Sequence, residues 1–146
     1  MKKALTVLFV LFLSVYIQAQ EMKVITIVES IVPMGVGRSR MIEEKDDIDY
    51  KTLTTERTDG KKSNSKSTKR SDAKVNKFAE TKLLNFYSAV GINFQNIASN
   101  DAVISSKINE MISQGWKLTF VTSAVESDSG KGDGNGLFIT RLFFSK

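Results

Sequence analysis

The 146-residue chain contains no cysteine and no histidine, and Pro33 is its only proline. Without cysteine it has no disulfide, thiol nucleophile or thiolate metal ligand, so packing alone must stabilise the fold. Without histidine it lacks the commonest general base and the commonest nitrogen ligand for zinc or copper. An enzyme would have to use carboxylates, lysine, tyrosine, serine or an oxygen-bound metal, so the composition favours a non-catalytic protein and leaves catalysis open.

The first residues have the pattern of a secretory signal peptide. Lys2 and Lys3 precede an apolar run over residues 4–13, and Ala19 stands before polar Gln20. The apolar run is too short to span a bilayer comfortably, which argues against the alternative of an uncleaved membrane anchor. We therefore expect cleavage of residues 1–19, export to the periplasm or the cell exterior, and no stable membrane span after cleavage.

Residues 20–146 have a length that suits a single domain. Loss of Lys2 and Lys3 lowers the formal net charge of the chain from +5 to +3, which is mildly basic and unlike a typical nucleic-acid-binding domain. The β-branched segment 22–32 predicts a strand that ends at Pro33, and residues 38–43 can return as a second strand of a hairpin.

Two further strands are predicted near the end of the chain, over residues 116–125 and 137–144. The glycine-rich segment between them suits the tip of a hairpin. Because the last strand is apolar on both faces, we expect it inside the sheet and not at an edge.

Helical spacing appears twice. Apolar residues recur every three or four positions from Ala73 to Val90, and again from a capping group at residues 99–101 to Gly115. The sequence therefore predicts an α+β fold, with an antiparallel sheet of three to four strands and two helices packed on one face.

A basic, low-complexity loop is predicted at residues 59–72, within a long mobile insertion that has few apolar side chains. Its five cations are Lys61, Lys62, Lys66, Lys69 and Arg70. Clustered cations attract an anionic glycan or nucleic acid, but no aromatic residue is interleaved to stack bases, and a plain solvated loop is the competing interpretation.

Arg38 and Arg40 form a second candidate for anion binding. Two residues apart on a strand, they would point to the same face and could clamp a carboxylate or phosphate. The alternative is a solvated strand edge on which they pair with Glu43 or Glu44.

The end of the chain resembles a small family of uncharacterised bacterial domains of unknown function. The resemblance lies in Ile108-Asn109, Gly115-Trp116 and Leu118 at a helix-to-strand junction, and in Thr140-Arg141, Phe144 and Lys146 on a terminal strand. Lys23–Ile27 also looks like the family's first strand. The chain departs from the family at Ile108, where leucine is usual, and in residues 44–96, which shorter members lack. The resemblance implies a fold and no activity, and the chain would be an exported variant with an added basic insertion.

Gly115 and Trp116 have a physical explanation that does not depend on this family. A glycine can end the helix in the left-handed conformation, and the indole ring can then cover the open end of the core. Ligand stacking is the alternative role for Trp116.

No pattern in the sequence indicates a catalytic residue, a cofactor or a metal site. Neighbouring acids at Glu43-Glu44 and Asp46-Asp47 are ordinary solubilising charge unless the fold places them across a pocket. We expect an exported, small, non-catalytic domain that acts as a binding or envelope-associated module. Its candidate partners are an anionic polymer or an envelope component. The alternatives are a polyanion-binding protein that uses the basic loop and a carboxylate-based hydrolase.

Overall fold

The structure is a computed structural model that describes residues 20–31, 39–57, 59–60, 62–63, 65, 68–88, 90–126 and 136–146. The predicted signal peptide, residues 32–38 with Pro33 and Arg38, and residues 127–135 of the predicted hairpin tip lie outside these residues. Among the described residues, no helix combines the length and apolar character that crossing a membrane requires.

A five-stranded antiparallel sheet organises the described residues. Its strands are β1 (Met22–Ser30), β2 (Arg40–Glu44), β3 (Phe78–Lys82), β6 (Lys117–Val125) and β7 (Leu137–Ser145), in the spatial order β3-β2-β1-β7-β6. The two hairpins β1–β2 and β6–β7 pair as the sequence predicts. Strand β7 also pairs with β1 over its whole length, which gives this doubly apolar strand an interior place in the sheet.

One α-helix, α1 (Phe94–Ser113), packs on one face of this sheet. Alternation along the strands places Ile25, Ile27, Met41, Leu142 and Phe144 under the helix. We call this the covered face and the opposite side the open face. Val103, Ile104, Ile108 and Met111 approach the covered face from α1, with the three- and four-residue spacing of one helical stripe.

A second, two-stranded sheet precedes the helix. It consists of β4 (Tyr87–Ser88) and β5 (Gly91–Ile92). The Phe86 N–H donates to the Ser30 carbonyl at 3.1 Å, and the Phe86 ring lies 6.2 Å from that of Phe138. These contacts attach the segment to the end of the main sheet where β1 stops and β7 begins.

The predicted helix between Ala73 and Val90 is wrong, and so are the predictions of two helices and of three to four strands. The described residues contain five strands in the main sheet, two in the small sheet, one α-helix and a short 3-10 helix (Tyr50–Leu53). The apolar spacing in this segment is coincidental. Phe78 is 48% exposed, and the segment instead satisfies its backbone by pairing β3 with β2.

The predicted start of the second helix is also wrong. Helix α1 begins at Phe94, and its cap is Asn93, whose side-chain oxygen accepts from the Asn96 N–H at 3.1 Å. Asn100, predicted as part of the cap, is inside the helix and 1% exposed. Its side chain accepts from the Leu84 N–H at 2.7 Å and donates to the Leu84 carbonyl at 2.8 Å and to Glu29 at 3.0 Å. The Asn100 side chain therefore satisfies the backbone N–H and carbonyl groups of Leu84, as a neighbouring strand would do.

Helix α1 ends in a Schellman arrangement, in which Ser113 is the last helical residue, Gln114 is the cap and Gly115 follows the cap. The Trp116 N–H donates to the Met111 carbonyl at 3.0 Å, and the Gly115 N–H donates to the Ile112 carbonyl at 2.9 Å. Gly115 has φ of 87°, which is the left-handed conformation that its sequence position predicts. This turn brings Trp116 into the buried core cluster, to which Met111 also belongs.

Candidate functional site

Glu43 is a carboxylate under the helix. Met41 and Glu43 lie two residues apart on β2, so both point to the covered face. Glu43 is 7% exposed, although a carboxylate is expensive to bury unless it is paired. The burial of Glu43 is therefore tolerated only if cationic residues neutralise its charge.

Three lysines meet this single carboxylate. The Nζ atoms of Lys23 and Lys45 lie 3.0 and 2.8 Å from its Oε1, and the Nζ of Lys107 lies 3.0 Å from its Oε2. Lys107 also pairs with Glu110 at 3.2 Å on the next turn of α1. The three ammonium groups come from β1, from the end of β2 and from the helix, so tertiary structure alone assembles them.

The contacts keep Glu43 ionised. Burial would raise the pKa of its carboxyl, but hydrogen bonds from Lys45, Lys107 and Lys23, together with the charge of Lys107, lower that pKa to about 2. Burial would likewise lower the pKa of Lys107, but its hydrogen bonds to Glu43 and Glu110 raise it. Both partners are therefore charged at neutral pH.

A fourth lysine joins the group through Trp116. The Nζ atoms of Lys23 and Lys146 lie 5.7 and 5.8 Å from the centroid of the indole ring, within the range of cation–π contacts. Trp116 is 8% exposed and belongs to the core, so little of its ring is available for ligand stacking. We call Lys23, Lys45, Lys107 and Lys146 the lysine cluster.

The lysine cluster has more positive charge than its contacts neutralise. Among the described residues, three of its four ammonium groups contact carboxylates, those of Glu43 and Glu110, and the fourth, on Lys146, contacts the Trp116 ring. Lys45 and Lys146 are the most exposed of the four side chains. Uncompensated cations held close together favour an additional anion.

A cleft of about 380 Å³ lies beside the cluster, between α1 and the β2–β3 side of the sheet. Met41 and Thr81 line it from the sheet, and Lys107 and Glu110 line it from the helix, with Ala102, Val103 and Ser106. An open cleft with an apolar lining and an ion-paired end is able to hold a ligand that carries both apolar and acidic groups.

The cations predicted from the sequence are not part of this cluster. Lys61, Lys66 and Arg38 lie outside the described residues. Lys62, Lys69 and Arg70 are exposed on the basic loop. Arg40 lies on β2 with its side chain toward the open face, where its Nη1 donates to the Ser39 carbonyl at 2.9 Å. The predicted pairing of Arg40 with Glu43 is excluded, because the two residues point to different faces.

The acidic residues offer little support for hydrolysis. Glu43 is ionised and its oxygens bind lysines, so it cannot donate a proton at neutral pH. Burial raises the pKa of Glu29, and Asp101 raises it further, but a hydrogen bond from Asn100 opposes this change. In the part of the chain that the structure describes, no three acidic side chains gather as a metal-binding group.

Comparisons of the chain with protein-family models, curated proteins and solved structures find no match. The resemblance to the bacterial domain family therefore stays a prediction.

Sequence reasoning missed the lysine cluster because its members are far apart in the chain. One local signal was available: Met41-Ile42-Glu43 alternates on a strand, so a buried Met41 implies that Glu43 is also turned inward and needs cationic partners. Which lysines supply that charge depends on the pairing of β1 with β2 and on the position of α1.

Proposed function

We propose that this chain is an exported, non-catalytic binding domain that holds the acidic group of an anionic polymer at the lysine cluster. The observation that carries the proposal is the convergence of Lys23, Lys45 and Lys107 on the single carboxylate of Glu43, with Lys146 held nearby over Trp116 and an open cleft next to Lys107. Export is inferred from the signal-peptide pattern of residues 1–19. An envelope polymer with carboxylate, sulfate or phosphate groups has the chemistry that such a site would bind.

The cluster is better suited to binding than a set of free surface lysines. Glu43 and Trp116 already restrain the lysine side chains, which extend from β1, from the end of β2, from α1 and from the end of β7. A ligand would therefore lose less of its binding free energy to the ordering of these side chains. Glu43 also keeps the cations from separating in the absence of a ligand.

The basic loop is the second candidate. Its described cations, Lys62, Lys69 and Arg70, are exposed and lie on one segment, which favours contact with an extended polymer. The two candidates differ in which lysines are required, so one set of variants separates them.

The experiment measures binding of the purified protein to a heparin-like sulfated glycan, with neutral dextran as the control polymer. We expect binding to the sulfated glycan only, with an affinity that falls steeply between about 50 and 200 mM salt. Replacing Lys45 and Lys146 by glutamine should weaken binding about tenfold or more, because two charge-assisted contacts are lost.

The matched control replaces Lys51 and Lys82 by glutamine, which gives the same change in net charge at exposed positions outside the cluster, with Lys82 on the open face. Equal losses in the two double variants would contradict a site at the lysine cluster. Loss of binding on deletion of residues 61–70 alone would assign it to the basic loop. The export part is checked by the intact mass of protein recovered outside the cytoplasm, which should begin at Gln20.

A further inference from the structure

Strand β6 forms one edge of the main sheet within the described residues, and β3 forms the other. An edge strand presents backbone N–H and C=O groups that can pair with another strand, and soluble proteins usually protect such edges. The two edges of this sheet differ in how well they are protected.

The backbone groups of β6 that point away from the sheet can be assigned from one hydrogen bond. The Glu126 N–H donates to the Leu137 carbonyl at 2.9 Å, so Glu126 faces β7. In an antiparallel pair the groups alternate in direction. Val121, Ser123 and Val125 therefore direct their N–H and C=O groups outward from the edge.

Strand β3 is short and charged. The Lys45 N–H donates to the Lys77 carbonyl and the Leu83 N–H to the Ser39 carbonyl, so the alternate residues Phe78, Glu80 and Lys82 direct their groups outward. Two of these three residues are charged, which opposes the addition of another strand. By contrast, β6 has nine residues, and the stretch Thr119–Val125 contains no charge and no proline.

Apolar side chains are exposed on both sides of the β6 edge. Phe120 is 61% exposed on the open face, where its ring lies 5.7 Å from that of Phe143. On the covered face Val121 and Val125 are 48% and 59% exposed, and Ile112 of α1 is 54% exposed. A strand added at this edge would cover apolar surface on both faces.

We propose that two copies of this chain associate through β6, which pairs antiparallel with itself and joins the two main sheets into one continuous sheet. The sequence of β6 is compatible with a two-fold axis at Thr122. There, Phe120 of one copy is opposite Ala124 of the other, and Val121 is opposite Ser123. No two like charges lie opposite each other within this stretch. At each end of the paired strands, Lys117 of one copy lies near Glu126 of the other, so the end charges are opposite in sign.

The experiment follows the mass of the protein by sedimentation from about 1 to 500 µM, since association is governed by concentration. We expect twice the chain mass at the upper end. Amide exchange of the same samples should slow for Val121, Ser123 and Val125 as the dimer forms, and the amides of Phe78, Glu80 and Lys82 should not change. A chain that stays monomeric throughout would overturn the proposal, as would a dimer that protects other amides.

Two proline variants provide a matched test. Ser123→Pro removes one outward N–H from β6, and Glu80→Pro removes one outward N–H from β3, so neither deletes a backbone hydrogen bond within the sheet. Ser123→Pro also removes the hydrogen bond between the hydroxyls of Ser123 and Thr140, so its folding is checked before its mass is compared. We expect Ser123→Pro to be monomeric and Glu80→Pro to dimerise like the original chain. Val121→Lys, which adds a charge at the edge without changing the backbone, should also be monomeric. If dimerisation survives in folded Ser123→Pro and Val121→Lys, the interface is not β6.

Discussion

At the scale of single residues, Glu43 is the buried carboxylate on which three lysines converge. It is buried, ionised and surrounded by lysines from three elements. Removing one partner of such a cluster leaves uncompensated buried charge, which is far more costly than losing an exposed ion pair. The stability of the fold should therefore depend on the charge state of this one carboxyl.

Acid should destabilise the fold through Glu43. Its pKa in the folded chain is about 2, below its ordinary value of 4.5. A lowered pKa contributes stability that is present above the ordinary value and lost as the pH falls toward the folded value. We expect the free energy of unfolding to decrease between about pH 5 and pH 2, with Glu43 contributing on the order of 2 to 3 kcal/mol.

Denaturant unfolding of Glu43→Gln tests this contribution. The variant should be less stable at pH 7, because three lysines lose their anionic partner, and its stability should vary less between pH 5 and pH 2. The control is Glu44→Gln on the neighbouring residue, whose side chain points to the open face and outside the cluster. If Glu43→Gln and the original chain lose stability in parallel on acidification, the carboxyl does not control the acid response.

Single residues also show how much of the candidate site could be predicted from the sequence. Gly115 and Trp116 could be assigned local roles from sequence, because a helix end and the residue after it are neighbours in the chain. Lys23, Lys107 and Lys146 could not be grouped, because their proximity depends on which strands pair and where the helix lies. The clustered cations of the basic loop are easy to recognise in the sequence, but the lysines that contact the buried carboxylate of Glu43 are different ones.

At the scale of elements, three residues, Gln114 to Trp116, join α1 to β6. Gly115 adopts φ of 87°, and the next residue, Trp116, already belongs to the buried core. A Cβ at Gly115 would lie 3.5 Å from Cε of Lys146, which is an ordinary contact. The requirement for glycine is therefore conformational and not steric.

Gly115→Ala should destabilise the fold by about 1 to 2 kcal/mol, because a residue with a Cβ is disfavoured in the left-handed conformation. Thermal or denaturant unfolding measures the change. Gln114→Ala is the matched control, because Gln114 has φ of −83°, a backbone conformation that alanine adopts without strain. If both variants lose the same stability, the left-handed turn does not explain the glycine.

Elements with a strong local pattern could be predicted, and those that depend on a distant partner could not. Strands β1, β6 and β7 are rich in β-branched and aromatic residues, and the second half of α1 has a clear apolar stripe. The sequence predicts a helix in place of β3 because Phe78, Ala79 and Leu83 follow helical spacing. Its actual state is set by β2, which offers an unpaired edge. The sequence predicts Asn100 as part of a cap because its hydrogen bonds to Leu84 join residues 16 positions apart.

At the scale of the whole molecule, the side chain of Asp46 holds together the two ends of the long connection from β2 to β3. Asp46 Oδ2 accepts from the N–H groups of Asn76 and Lys77, both at 2.8 Å, and the Lys45 N–H donates to the Lys77 carbonyl at 3.0 Å. These bonds fix the two ends of the connection next to the β2–β3 pair. The register of β3 therefore does not rely on the basic loop at residues 59–72.

Replacing residues 61–70 by a short Gly-Ser bridge should consequently leave the free energy of unfolding within about 0.5 kcal/mol of its original value, since loop-closure entropy changes slowly with length. Asp46→Ala should cost more, because it removes the acceptor that holds both N–H groups at the base. Denaturant unfolding of the two variants compares these contributions. If the deletion proved more damaging than Asp46→Ala, residues 61–70 would have to pack against the sheet, and the base of the connection would not be sufficient to hold β3 in place.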